Sequence, residues 1–107
     1  MKPNHDAMML VRADLCERLT SLQALAKRLP PREFSENLAG MKRLAAIYGL
    51  TPVVRLAEAL ERAVAEDGAR CPQGLYLARL QDAIGCERLD EAASEALLAS
   101  VSVRLGG

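Results

Sequence analysis

Tryptophan is absent from this 107-residue chain, and Phe34, Tyr48 and Tyr76 are its only aromatic residues. A core without large rings must come from Leu, Val, Ala and Met, which favour or tolerate helices. The β-branched and aromatic stock of sheets is thin, so an all-α fold is expected. Net charge is missing as well, with 14 basic residues balancing 14 acidic ones. No field of one sign draws the chain to nucleic acid or to an anionic membrane, and no basic run interleaves with aromatics. Neither partner is expected. Long apolar runs are lacking too: the stretch Ala7 to Val11 is broken by charge well short of a membrane span. The N-terminus runs through Lys2, Asn4, His5 and Asp6 and lacks the shape of a signal peptide, so the expected compartment is the cytoplasm.

Chemistry-bearing constellations are equally scarce. Cys16, Cys71 and Cys86 are odd in number and form no CxxC pair, which reads as three reduced thiols. His5 is the only histidine, too few ligands for zinc, and no metal or other cofactor is expected. The chain has no GxSxG elbow, no glycine-rich phosphate loop and no HExxH pair. Its carboxylates fall at helical spacings from arginine, as Glu58 does from Arg62, the pattern of a solvated helix face. A non-enzyme is expected.

Punctuation divides what remains. Pro30-Pro31 ends a first apolar-periodic segment, since proline is tolerated only in the opening turn of a helix. Gly49 followed by Thr51-Pro52 reads as a helix end, an N-cap threonine and an N1 proline. Gly68 and Pro72, then Gly85, then Gly106-Gly107 mark the later breaks. Five helices are predicted, at about 5–29, 32–48, 52–67, 72–84 and 87–105. Short loops make successive helices antiparallel. The expectation is one domain over residues 1–107, an up-down antiparallel four-helix bundle with one additional helix.

Each segment carries an apolar stripe at steps of three and four. The first has Met8, Val11, Leu15, Leu19, Leu22, Ala26 and Leu29; the second has Phe34, Leu38, Met41, Ala45 and Tyr48. In the third, Val53, Leu56, Ala57, Leu60, Ala63 and Val64 face inward, leaving Arg55, Glu58, Glu61 and Arg62 outside. The fourth offers Leu77, Leu80 and Ile84, weakened by Gly74, and the fifth Leu89, Ala93, Leu97 and Val101.

The run from Ala39 to Leu50, Ala-Gly-Met-Lys-Arg-Leu-Ala-Ala-Ile-Tyr-Gly-Leu, resembles the core of a histidine-containing phosphotransfer (Hpt) domain. That family's pattern is His-x-Leu-Lys-Gly, an alanine two residues on, then an apolar-Gly-apolar turn into a helix ending Leu-Glu. Met41 stands for the leucine, Lys42 for the lysine, Ala45 for the alanine and Tyr48-Gly49-Leu50 for the turn. Leu56 to Glu61 resembles the family's Leu-Ala-x-x-Leu-Glu, and the likeness extends over residues 15 to 66 without a gap between Ala39 and Glu61. It implies an Hpt-like bundle in a bacterial two-component phosphorelay, docking a response-regulator receiver domain or a sensor histidine kinase.

Two departures change what such a domain can do. Ala39 stands at the phospho-accepting histidine and Arg43 at a small glycine. A methyl group has no nucleophilic lone pair, so phosphate cannot be carried there. His5 is no substitute: at the start of the first helix it falls by Tyr48, roughly 13 Å along the axis from Ala39. The resemblance implies a binding face on the second and third helices around Ala39. Its candidate residues are Glu36, Ala39, Gly40, Lys42, Arg43 and Ala46, on the outward side with Ser35. Ala39 and Gly40 form its bare centre; Lys42 and Arg43 are the charges that meet a receiver's acidic pocket. The alternative is a helical dimerisation or adaptor module with no phosphorelay role, a homodimer joined through the Ala-rich last helix or exposed Met8, Met9 and Leu10.

Overall fold

The computed structural model describes the backbone of residues 5–85 and 91–104 and the side chains of 7–68, 70–85 and 95–101. Among these residues the chain is helical, with no strand. The helices are α1 (His5–Leu25), α2 (Pro31–Ile47), α3 (Thr51–Asp67), α4 (Gln73–Gly85) and α5 (Glu91–Arg104), with one 3₁₀ turn at Gly68–Arg70. Consecutive helices α1 to α4 pack side by side and α1 closes the ring against α4. The fifth helix lies against α3 and α4.

The apolar stripes explain this packing. Leu15, Leu19, Phe34, Leu38, Met41, Leu56, Leu60, Leu80 and Ile84 are almost entirely withdrawn from solvent, and Val101 brings α5 into the same core. Ala26, Leu29, Tyr48, Ala63, Val64 and Leu97 are half-buried against it. Met8 belongs to this second group, so it is not the exposed side chain that a dimer surface would use; Met9 and Leu10 are exposed. Leu89, and the side chain of Ala93, lie outside the described residues, as do residues 87–90 and 105 of the expected fifth helix.

Beyond one-residue shifts at the ends of α2 and α4, two boundaries differ from expectation. The first helix ends at Leu25 rather than 29, although Leu25 still accepts bonds from the amides of Arg28 and Leu29. Each residue before a proline is pushed out of the helical region, and Pro30 is extended at ψ 149°. Thr51, expected to cap α3, is its first helical residue; Leu50 is the N-cap and uses no side-chain bond. The turn before it provides the reason. The Leu50 amide donates to Ala45 O at 2.9 Å and the Gly49 amide to Ala46 O at 3.2 Å, the paired closing bonds of a Schellman end. Gly49 sits at φ +71°, where a side chain would be strained. This geometry drives Leu50 into the core at 0% exposure, and α3 starts from its carbonyl. Pro52 then occupies an early position whose amide would lack an intrahelical partner anyway.

Candidate functional site

The second helix carries all six candidate residues, and the structure distributes them around its outer half. Phe34, Leu38, Met41 and Ala45 bury one stripe. Glu36, Arg43 and Ala46 are exposed, while Ala39, Gly40 and Lys42 are intermediate. Neighbours in sequence are about 100° apart around the axis, so Ala39 and Gly40 lie on different flanks instead of forming one bare patch. Gly40 faces α1: a Cβ built there would meet Arg18 Nη1 at 3.7 Å. Arg18 is itself held by Asp14 one turn earlier at 3.0 Å.

Lys42 is on the flank that meets α3, where its Nζ lies 2.8 Å from Glu61 Oε1. It is therefore engaged by its own bundle, not standing free as the outward charge expected from the sequence. Glu36 pairs with Arg32 at 3.4 Å, with both side chains largely in solvent. Arg43 makes no ion pair among the described residues, leaving it as the candidate cation open to a partner. On α3, Glu58 reaches Arg55 at 4.0 Å, and the expected pairing with Arg62 is not formed.

Beside Lys42 the surface forms an open groove of about 670 Å³, to which Arg55, Glu58, Glu61 and Arg62 of α3 contribute with Glu95 and Leu98 of α5. The contribution of α5 is not legible in the sequence, because no local pattern says which helix it lies against. Glu61 was marked by its place in the Leu-Ala-x-x-Leu-Glu run, but its partner was not. Arg18 carried no signal at all, being one more polar residue on a solvated flank.

The thiols differ in environment. Cys16 is exposed and Cys71 is buried, both reduced; Cys86 lies outside the described residues. Burial, reinforced by the charge of Asp67, pushes the Cys71 thiol above its ordinary 9.0. Burial also raises Tyr76, with Cys71, Asp67 and Glu66 adding to the rise and Arg62 opposing it. A thiol held neutral is a poor nucleophile. No cluster of three or more His, Cys, Asp or Glu among the described residues is arranged to hold a metal ion. No described helix is long and apolar enough to cross a membrane.

The fold and site together define an all-helical protein whose polar groups are spread along helix faces. Comparison with known families, with curated proteins and with solved structures yields no match.

Proposed function

We propose that the chain is a degenerate Hpt-like domain that docks a receiver domain or sensor histidine kinase of a bacterial two-component phosphorelay without carrying phosphate itself. The observation that carries this reading is the ungapped pattern from Ala39 to Glu61 with its histidine replaced. Supporting it, the two segments of that pattern are neighbouring helices, and two of its charged members, Lys42 and Glu61, meet across them. Ala39 offers no lone pair to phosphorus, so the role left to this face is binding without phosphotransfer, and the compartment proposed with it is the cytoplasm. Arg43 supplies a charge-assisted contact to the receiver's acidic pocket. Lys42 joins it by exchanging Glu61 for a carboxylate or phospho-aspartate of the partner. Such a domain competes with a true phosphotransfer protein or serves as an adaptor.

The test is binding of the purified chain to the host's receiver domains and sensor kinases, comparing wild type with Ala39→Arg. Binding by the wild type that the bulky variant loses by about tenfold, or 1.4 kcal/mol, supports the reading. Equal binding by both, or by neither, ends it.

A second reading is a homodimerising helical module. Its specific support is apolar exposure: Leu10 is 73% exposed and Ile47 70%. A doubled mass in light scattering that Leu10→Glu or Ile47→Glu abolishes favours the dimer; a strict monomer at high concentration removes it.

A further inference from the structure

At one end of the bundle two loops, not helices, close over the core. The first ends at Leu25 and the chain turns through residues 26–30; the third ends at Asp67, is capped by Gly68 at φ +55°, and passes through the 3₁₀ turn to Cys71 and Pro72. The space between these two loops is a cavity of about 1120 Å³, open to solvent. Phe34, Leu77 and Cys71, at 1%, 2% and 8% exposure, line its buried part, with Leu29 and Val64 half-buried beside them. Gly74 also lines it, is exposed, and would take an added Cβ without meeting any atom within 4 Å.

The charged side chains that line the cavity, among the described residues, are both basic. Lys27 and Arg28 line it, both exposed, and neither forms an ion pair among the described residues. Among the described residues no aspartate or glutamate lines it, in a chain where the two signs balance overall. Asp67 acts on Cys71 through its charge but is not part of the lining. An apolar cavity with a few convergent polar groups is the usual form of a small-molecule site, and the gaps between bundle helices are a usual place for one.

We propose that this end cavity binds an amphiphilic monoanion, a carboxylate on a medium-length alkyl body. The body lies against the partly exposed Ala26, Leu29, Val64 and Pro72, over the buried floor of Phe34, Leu77 and Cys71, and the carboxylate is held by Lys27 and Arg28. A guanidinium fork matches the two oxygens of a carboxylate, and the adjacent ammonium adds a point charge. A neutral alkyl ligand would gain the apolar contact alone, whereas an anion adds the attraction of both cations, which is why the anion is favoured. The site is separate from the docking face around Ala39, and neither proposal depends on the other.

The experiment is titration of the ¹⁵N-labelled chain with decanoate below its micelle concentration, with decanol and acetate as comparison ligands. Decanoate is expected to shift the amides of Phe34, Gly74 and Leu77 saturably, and acetate is not. Gly74→Leu adds a branched side chain at the lining of the cavity while removing a glycine from a helix, and is expected to weaken decanoate by about tenfold or more. Replacing Lys27 and Arg28 together by glutamine weakens decanoate and leaves decanol unchanged. The proposal is overturned by shifts that do not saturate or that spread over other faces, or by Gly74→Leu binding as the wild type does. Binding confined to vesicles of anionic phospholipid also overturns it, since that describes a surface patch and not a cavity.

Discussion

Lys42 of α2 and Glu61 of α3 form an ion pair at 2.8 Å with both side chains less than a third exposed, tying together the helices that carry the phosphotransfer-like pattern. The pair remains in contact with water, so its contribution to stability is about 1 kcal/mol or less. Glu61→Gln is expected to lower the urea midpoint only slightly, and less so at high salt. Its effect on a partner should be the reverse of that of Lys42→Gln. Losing Glu61 frees the ammonium and keeps or tightens receiver binding, whereas losing Lys42 weakens it. Calorimetric titration of both variants against one receiver domain reads the difference.

Gly40→Ala is expected to stabilise the chain. The added methyl would meet the guanidinium end of Arg18 at 3.7 Å, an ordinary contact with a flexible side chain. Helix-interior glycine is less favourable than alanine by roughly 0.5–1 kcal/mol, and the gain should show as a raised urea midpoint with an unchanged slope. A loss of stability would mean that α1 and α2 approach too closely there for a side chain.

Adjacent residues 38 and 39 should differ sharply in their sensitivity to substitution. Leu38 is fully buried, and Leu38→Ala should remove roughly 2–5 kcal/mol through lost contacts and the cavity left behind. Ala39 is half-exposed on the next flank, and Ala39→Ser should stay within about 0.5 kcal/mol. Chemical denaturation of both variants checks the register of α2, and with it the position of the proposed docking face.

Alkaline pH should destabilise the fold through Cys71. Burial holds its thiol above the ordinary 9.0, so the folded chain keeps a proton that the unfolded chain has released. The stabilisation is therefore fully present below about pH 9 and is lost as pH rises through the folded value. Tyr76, raised above 10.0, adds to the loss at higher pH. Cys71→Ala should flatten the decline that begins near pH 9 in thermal melts. At neutral pH, peptide-resolved alkylation should label exposed Cys16 well before Cys71.

Much of the bundle was legible because its signals are local. The apolar stripe from Phe34 to Ala45 steps by one helical turn and is buried as expected, and Gly49 and Gly68 end their helices with positive φ. The end of α1 was misread because Ala26 and Leu29 continue the stripe after the backbone has begun to turn toward Pro30. Thr51 looked like a cap because the burial of Leu50, a contact with the distant core, is invisible in the short run around it.

The candidate site was legible as a list of residues and not as an arrangement. Glu36, Ala39, Gly40, Lys42, Arg43 and Ala46 do share the outer half of α2, as helical spacing requires. Helix content, the positions of the turns and the inward stripes follow from backbone preferences and the 3.6-residue period, which act over a few residues at a time. The Lys42–Glu61 bridge, the approach of Arg18 to Gly40 and the cavity between the α1–α2 and α3–α4 loops depend on which flank of each helix meets which neighbour. Those choices are made when several stripes bury one another at once, by packing energies summed over residues far apart in the chain.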